Sequence, residues 1–293
     1  MKKMNIFIVL SILLSILQCS FNDNLDLSIR AMTFNIRLNV QSDSLNAWPY
    51  RKQIVANMIQ FHHADLIGVQ EALIGQVEDL AEHLPNYSWF GLGRDDGDKS
   101  GEFMAIFYLK ERFKVLKNST FWLSENPEIP GKGWDAACNR VVTWGKFKDT
   151  KTSKIFYHFN THFDHRGEIA RTESAKLLLK QINEIAGISN VIVTGDFNTN
   201  PGSIPYKILT DHKKQETDLK LVDAKMVSYY PHHGPTGTFT GFRLANIAIN
   251  IQPIDYIFVT KNIKIMRHGT LSDTFNGSLP SDHMPVLAEI IIE

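Results

Sequence analysis

The segment VIVTGDFNTNP, residues 191–201, is a short β-branched run that ends in an Asp and an Asn on either side of a Phe. Because successive side chains of a strand point to opposite faces, Asp196 and Asn198 lie on one face and Phe197 lies on the other. A charged group at the end of a buried strand is costly unless it is hydrogen-bonded, paired or close to a metal. The segment therefore predicts a buried strand whose polar end has partners elsewhere in the chain.

Length and composition indicate one large globular domain. The chain has 293 residues, 43% of them hydrophobic, and no linker, repeat or low-complexity tract interrupts residues 29–293. Its 31 basic residues are balanced by 31 acidic ones. A protein that grips long nucleic acid usually carries a basic stripe, so this balance weakens a DNA-binding function.

The N-terminus has the pattern of an export signal. Two lysines precede an apolar stretch over residues 6–17, which is shorter than the ~20 residues of a membrane span and suits the apolar region of a signal peptide. We therefore predict a signal peptide over residues 1–18, a tether over residues 19–28 and a folded domain over residues 29–293.

Cys19 follows this apolar stretch, and the only other cysteine is Cys138, so we expect no structural disulfide. The segment ILQC resembles a bacterial lipobox, whose cysteine carries the lipid, although Gln18 stands where a small residue is usual. This predicts a protein of the bacterial cell envelope that is lipid-anchored on Cys19 or secreted. Cleavage by the ordinary signal peptidase and an uncleaved anchor are the alternatives.

Strand-like segments dominate the remaining chain. They cover residues 29–38, 65–71, 88–93, 103–109, 118–123, 141–147, 154–163, 190–198, 253–260 and 285–292. Helical periodicity is limited to residues 48–63 and residues 171–187, with Gly187 as the predicted C-cap. So many strands with so few helices predict an α/β (α+β) fold of two packed sheets covered by helices rather than a βα barrel.

Polar residues recur at the ends of these apolar segments. They are Asn35, Glu71, His162, Asp196, Asn198, Asp255, Asp282 and His283. A single Asn or His at a strand end is most simply a capping or turn residue. The recurrence along one chain instead favours a shared site.

The residue types in this set suit phosphoester hydrolysis with a metal. Carboxylates and amides are the oxygen ligands that Mg²⁺ prefers, and Glu71 is the first choice as ligand, with Mn²⁺ as a possible substitute. A nearby His, Asp and Asn can position and deprotonate water and neutralise charge on the phosphoryl oxygens. The sequence has no GxSxG elbow, P-loop or Cys/His cluster.

Six motifs in order along the chain resemble the endonuclease/exonuclease/phosphatase superfamily. They are TFNIR, DLIGVQE, FNTHFDH, GDFNTNP, PIDYIFV and SDHMPV, and the resemblance covers residues 29–293. The pair GDFN and SDH is the most specific part of the match. The resemblance implies a four-layered αββα sandwich with the active site at one edge of its two sheets.

The resemblance also implies roles for the strand-end residues. Asp196 would orient and deprotonate the attacking water, and Asn198 would hold the same water or the phosphate. Glu71 would bind Mg²⁺ with help from Asn35 and Asp282.

Three further residues complete the implied catalytic set. His283 would contact the scissile phosphate, with Asp255 accepting its other ring proton. His162 would stabilise the pentacovalent oxygens, at a position where some relatives have Tyr.

The segments WDAACNR, HFDHRGEIAR and GTFTGF resemble a bacterial subgroup of the superfamily. Within them, Arg140 and Arg171 are candidates for phosphate or scaffold contacts. Trp134 is a candidate for the wall of the substrate pocket, with ordinary packing as the alternative. We also expect the loop at residues 228–241 to be mobile and to lie near the site, with His232 and His233 touching substrate or solvent.

Together these observations predict a monomeric, Mg²⁺-dependent phosphoesterase of the cell envelope. Its phosphoester substrate would be small or lipid-derived rather than a long nucleic acid, and the lipid on Cys19 would hold the protein at the membrane. A secreted nuclease acting on DNA or RNA is the second hypothesis. A catalytically inactive envelope binding protein is the third, and the retention of Glu71, Asp196, Asp255 and His283 argues against it.

Overall fold

A computed structural model describes residues 27–211 and 219–293 of the chain. The predicted signal peptide and Cys19 lie outside these residues, as does most of the tether. Within the described part of the chain, no helix combines the length and apolar character needed to cross a bilayer.

Two mixed sheets of six strands each form the centre of the domain. The strands are β1 Ile29–Asn35, β2 Leu66–Gln70, β3 Tyr87–Phe90, β4 Ile106–Leu109, β5 Phe113–Trp122, β6 Val141–Asp149, β7 Ile155–His162, β8 Asn190–Asp196, β9 Leu221–Asp223, β10 Asp255–Thr260, β11 Ile263–Thr270 and β12 Val286–Ile292. The first sheet has the order β11-β12-β1-β2-β4-β3, and the second has the order β5-β6-β7-β8-β10-β9.

The longer helices cover the outer faces of the sheets. The helices are α1 Trp48–Phe61, α2 Ile74–His83, α3 Glu168–Ala186, α4 Ile204–Thr210 and α5 Asn246–Ile249, with short 3₁₀ segments at Gln41–Asn46 and Ala224–Val227. α1 and α2 pack on the first sheet through side chains such as Val55 and Leu80. α3 packs on the second sheet through side chains such as Leu178 and Ile182. A third apolar cluster fills the space between the sheets, so the predicted αββα sandwich is confirmed.

The pairing of the strands brings the polar strand ends to one edge. β1 and β2 are parallel, so Asn35 lies opposite Gln70, the residue before Glu71. β7 and β8 are also parallel, and His162 lies opposite Asp196. β10 runs antiparallel to β8 and starts at this same edge, because Asp255 lies opposite Asp196.

The two sheets approach closely behind this edge because Gly68 has no side chain. A Cβ atom at Gly68 would lie 2.1 Å from Oγ1 of Thr194 and 2.4 Å from Oδ1 of Asn160, both on the second sheet. These distances are far below van der Waals contact. The glycine therefore sets the spacing of the sheets next to the polar edge.

Several elements were not predicted from the sequence. β11 has a register shift between Ile265 and Arg267 that interrupts its apolar alternation, and β9 is only three residues long. α2 begins after Leu73, which is not a usual N-cap residue. α3 begins at Glu168, three residues before the predicted start, and Gly187 is its C-cap with φ of 57°, as predicted.

Candidate active site

The polar edge opens into a cavity of about 510 Å³. Six of the eight predicted strand-end residues line it: Glu71, His162, Asp196, Asn198, Asp282 and His283. The other two, Asn35 and Asp255, are almost fully buried and contact the lining residues from behind. The structure thus brings together all eight residues that the sequence placed at strand ends.

Asp196 lies at the centre of this set. Its Oδ1 accepts the backbone N–H of Asn198 at 2.9 Å, and its Oδ2 accepts Nδ2 of Asn35 at 3.0 Å. Nε2 of His162 is 3.4 Å from the same Oδ2, and Nε2 of His283 is 3.7 Å from it. Burial and the neighbouring carboxylate of Asp255 raise the pKa of Asp196 to about 7. This carboxylate can therefore take up a proton near neutral pH.

His283 is held as an imidazolium by two carboxylates. Its Nδ1 lies 2.9 Å from Oδ2 of Asp255, and the ring of Phe239 meets its ring edge-on at 5.0 Å between centroids. Burial opposes the charge, but Asp255 and Asp196 outweigh burial and raise the pKa of His283 well above its usual value. Its Nε2 side is therefore a charged donor in the cavity.

His162 has the opposite electrostatic character. Burial, together with the guanidinium groups of Arg140 and Arg94, lowers the pKa of His162 well below its usual value. Its Nε2 lies 3.0 Å from Nδ2 of Asn198, which also donates to the backbone oxygen of Phe163 at 3.0 Å. A neutral His162 and the carboxamide of Asn198 therefore share one side of the cavity.

The backbone turns sharply where two of these side chains enter the site. Glu71 has φ of 64° and Asn198 has φ of 46°, a left-handed region that non-glycine residues seldom adopt. Glu71 is held there because its Oε1 accepts Nδ2 of Asn35 at 2.9 Å and its Oε2 accepts the backbone N–H of Leu38 at 3.1 Å. Such conformations concentrate at functional sites.

The carboxylates of Glu71 and Asp282 are suited to binding a divalent cation. Glu71 and Asp282 are close enough that their mutual repulsion adds to burial in raising the pKa of Asp282. Arg37 is the nearest guanidinium to both, yet its nitrogens lie 4.0 Å from Glu71 and 3.9 Å from Asp282, beyond hydrogen-bond distance. Two carboxylates that share only a long ion pair with Arg37, without a hydrogen bond to it, suit a hard cation such as Mg²⁺.

The tightest group of possible ligands differs in part from the predicted one. Among the described residues, Glu71, Asp196 and His283 have side-chain oxygen or nitrogen atoms within 4.8 Å of one another. Of these three, the two carboxylates can hold a cation, whereas the imidazolium of His283 is a donor, and only Glu71 belongs to the predicted ligand set. Asn35 directs its NH₂ group at the carboxylates, while its oxygen accepts the backbone N–H of Arg37 at 3.0 Å. In this arrangement Asn35 orients Glu71 and Asp196 as a donor, and its predicted role as a metal ligand stays a prediction.

A buried polar network supports the strand ends from behind. Oδ1 of Asn160 accepts Nε2 of Gln70 at 2.7 Å and the hydroxyl of Thr194 at 3.0 Å. His158 extends the network through a 2.8 Å contact with the same hydroxyl. Because these residues join the two sheets next to Glu71 and two positions before His162 and Asp196, they fix the strand ends relative to one another.

The predicted substrate contacts occupy different places. Arg140 is buried, with 3% of its surface exposed, and lines the cavity. Arg171 donates to the backbone oxygen of Asp164 at 2.9 Å and is not among the lining residues. Of its two predicted roles, this contact matches the scaffold contact rather than the phosphate contact. Trp134 lines a separate groove beside α3 with Trp144.

The loop at residues 228–241 contributes Phe239 to the cavity rather than its histidines. His232 contacts His268 at 2.9 Å, and His233 pairs with Gly269 of β11. Neither histidine is among the lining residues. Backbone pairing with β11 therefore turns both histidines away from the site.

Arg94, His165 and Arg37 also line the cavity, and sequence analysis did not identify them. His165 lies inside the segment HFDHRGEIAR, so its neighbourhood was recognised without the residue itself. Arg37 is the last residue of the motif TFNIR, so its neighbourhood was recognised as well, whereas Arg94 lies in a connection that carries no periodic signal.

The profile of the endonuclease/exonuclease/phosphatase family matches residues 32–283. An endonuclease/exonuclease/phosphatase structure from Bacteroides vulgatus is 42% identical, covers 91% of this chain and 99% of its own, and superposes with a TM-score of 0.85. A mannosyl-6-phosphatase from Bacteroides thetaiotaomicron VPI-5482 is 35% identical, covers 90% of this chain and 100% of its own, and has a TM-score of 0.83.

Two sequence relatives extend the comparison. The uncharacterized mimivirus protein L388 is 31% identical over 55% of this chain and 63% of its own length. A probable RNA exonuclease of Schizosaccharomyces pombe is 24% identical over 63% of this chain and 39% of its own length. The chain thus spans less than two thirds of the length of these relatives. On the family profile, the chain belongs to the endonuclease/exonuclease/phosphatase family.

Proposed function

We propose that this member of the endonuclease/exonuclease/phosphatase family hydrolyses a small phosphoester with the help of a divalent cation. The observation that carries the proposal is the convergence of Glu71, Asp196 and His283, whose ligand atoms lie within 4.8 Å of one another in a cavity of about 510 Å³. A carboxylate that accepts protons near neutral pH, a charged histidine and a cation-binding carboxylate are the parts that transfer of a phosphoryl group to water needs.

In this mechanism Asp196 and Asn198 hold the attacking water. Asp196 takes a proton from the water as the water oxygen bonds to phosphorus and the bond between phosphorus and the leaving oxygen breaks. The leaving oxygen acquires a proton from solvent, so the products are an alcohol and a phosphate. No covalent enzyme intermediate is required.

The remaining groups stabilise the charge that develops on the phosphoryl oxygens. His283 offers Nε2–H while Asp255 holds its Nδ1–H. The neutral His162 accepts from Asn198 and orients its carboxamide. A divalent cation held by Glu71, with Asp282 nearby, would neutralise negative charge on the phosphate and on the leaving oxygen. Mg²⁺ is the first choice because these ligands are oxygens, and Mn²⁺ suits the same set.

A small substrate is supported by the charge of the protein and by one of its structural relatives. The formal net charge is zero, and a mannosyl-6-phosphatase from Bacteroides thetaiotaomicron superposes on this chain over nearly its whole length. A sugar phosphate or a lipid-derived phosphoester is therefore our candidate substrate. The second candidate is a nuclease, which the relationship to the probable RNA exonuclease favours.

A substrate panel separates these candidates. We expect turnover of sugar or lipid phosphoesters, with kcat/KM changing only a few-fold between roughly 50 and 200 mM salt. A nuclease with six to ten phosphate contacts would lose ~10³-fold or more in affinity over this range. Efficient degradation of plasmid DNA or RNA with such a steep salt dependence would establish the nuclease instead.

We also propose that the chain is exported and anchored through a lipid on Cys19. The proposal rests on the apolar segment that precedes this cysteine. In the native host, Cys19→Ala should move the protein from the membrane fraction to a soluble or precursor form. An unchanged distribution, with no lipid mass on the mature N-terminus, would refute the anchor.

A further inference from the structure

A wall of nitrogen donors borders the cavity beside His162. We call Arg94, Arg140 and His165 the guanidinium wall; all three line the cavity. Both guanidinium groups contribute to the lowered pKa of His162, which lines the same cavity. Arg140 directly precedes β6, and β6 pairs with β7 so that Val142 lies opposite Thr161. The wall is therefore built next to the strand end that carries His162.

Arg140 is held by two hydrogen-bonding contacts, and one of its guanidinium nitrogens has no partner among the described residues. Its Nε lies 3.3 Å from Oδ2 of Asp164, and its Nη2 lies 3.0 Å from Nδ1 of His165. Its Nη1 is buried and has no hydrogen-bond partner among the described residues. Buried polar groups are rarely left unpaired in native proteins, so this N–H lacks a partner that a ligand in the cavity lined by Arg140 could supply.

Asp164 holds Arg140 without using up this donor. The carboxylate accepts backbone N–H groups from Ala137, Arg166 and Gly167 at 2.8–3.1 Å. Burial opposes its charge, but the amides of Gly167, Arg166 and Ala137 prevail and hold the pKa of Asp164 well below its usual range. Arg140 is therefore oriented by a firmly ionised carboxylate.

The other two members of the wall also present donors. Nη1 of Arg94 lies 2.6 Å from Oε2 of Glu102, while its buried Nε has no hydrogen-bond partner in the part of the chain that the structure describes. His165 uses Nδ1 as the acceptor for Arg140, so its ring proton resides on Nε2. The wall thus combines two such guanidinium N–H groups with one imidazole N–H.

We infer that the guanidinium wall receives the third non-bridging oxygen of a phosphomonoester, so that the site selects monoesters over diesters. The inference rests on the proposed hydrolysis of phosphoesters and adds the class of ester. A monoester has three non-bridging oxygens, and the groups around Asp196, His283 and Glu71 can engage two of them. In a diester the third position is an ester oxygen that carries a second substituent.

A diester would leave the wall poorly satisfied. An ester oxygen is a weak acceptor, and its substituent would cover the buried N–H groups of Arg94 and Arg140. Loss of one charge-assisted hydrogen bond typically lowers binding about tenfold to a hundredfold. Selectivity for the monoester therefore follows from the donors themselves, whatever alcohol the substrate carries.

The test compares 4-nitrophenyl phosphate with its methyl diester, which has the same leaving group. We expect the purified full-length protein with Mg²⁺ to turn over the monoester with the higher kcat/KM. Arg140→Met should lower kcat/KM for the monoester by about tenfold to a hundredfold and change the diester less than about threefold. His165→Ala should also lower kcat/KM for the monoester more than for the diester, with a smaller effect. Because His165 is exposed, this variant tests the selectivity if Arg140→Met fails to fold.

Arg166→Met is the matched control, because it removes a nearby exposed cation that does not line the cavity. Its kcat/KM values for the monoester and for the diester should equal those of the wild type. Equal losses on both esters in Arg140→Met and His165→Ala, or a wild type that prefers the diester, would overturn the inference and leave the proposed function standing. Absence of turnover on either ester and throughout the wider substrate panel would instead refute the proposed function, and the inference with it.

Discussion

The strand-borne and loop-borne parts of the cavity are held in place by different means. Asp196 and His162 end paired strands of one sheet, and the network around Asn160 ties this sheet to the other. Arg94 and Arg140 lie in connections, each fixed by one buried carboxylate. Loops can vary without disturbing a sheet. The comparison therefore assigns the chemistry to the strand ends and the choice of ester to the loops.

The sharpest test of the strand-borne part is Asp196→Asn. Loss of a general base typically costs about 10²–10⁴-fold in rate, and the loss should be similar for every phosphoester, unlike that of Arg140→Met. The thermal unfolding midpoint should not fall, because the change is isosteric and removes a carboxylate that repels Asp255.

Asp98→Asn, an exposed change of the same type, is the matched control and should behave as the wild type. Near-native turnover by a folded Asp196→Asn protein would show that the chemistry lies elsewhere.

Gly68→Ala tests whether the spacing of the sheets sets the geometry of the strand ends. The new Cβ would lie 2.1 Å from Oγ1 of Thr194, so the network must shift, at a cost typical of overpacked cores of about 1–3 kcal/mol in the free energy of unfolding. We also expect kcat to fall more than KM rises, since the reacting groups would be displaced relative to one another. Chemical denaturation and steady-state kinetics measure the two effects.

Gly75→Ala is the matched control, because a Cβ at Gly75 meets nothing within 4 Å and lies in α2. It should leave the free energy of unfolding unchanged or slightly higher. Equal stability of the Gly68→Ala and Gly75→Ala proteins would contradict a close approach of the sheets at Gly68.

The smallest expected effect concerns His158, which lies in the same network and away from the cavity. Burial lowers the pKa of His158 to about 3, while the unfolded chain has a value of about 6.5. Between these values the unfolded state binds one more proton, so stability falls as the pH drops through this range. In His158→Gln the slope of the unfolding free energy should be shallower by about 1.4 kcal/mol per pH unit, with little change in activity at neutral pH. An unchanged slope would mean that His158 is protonated in the folded state.

The same comparison explains what could be predicted from the sequence. Asp196, Asn198, Glu71 and His283 were identified because strand ends have a local signature, an apolar run followed by a polar residue. Their recurrence along the chain favoured a shared site, and the family resemblance implied that this site lies at one edge of the two sheets.

The loop-borne residues have no such signature, and Arg140 was identified only through the resemblance of the segment WDAACNR to a bacterial subgroup. The position of Arg94 depends on Glu102 across a turn, and that of Arg140 depends on Asp164, 24 residues away. The polar network was missed for a related reason, because Asn160 and Gln70 look like interruptions of apolar strands until the two sheets are packed face to face. Contacts between distant segments decide these features, and no periodicity records them.

The most direct test of the central claim is phosphate release from a small phosphoester by the purified protein after its metal has been removed. We predict no release in excess EDTA and full recovery on addition of Mg²⁺ or Mn²⁺, because the Glu71 side of the cavity needs a cation to neutralise the phosphate. Asp196→Asn should stay inactive at every metal concentration. Full activity of the wild-type protein in excess EDTA would contradict a metal-assisted reaction at these strand ends.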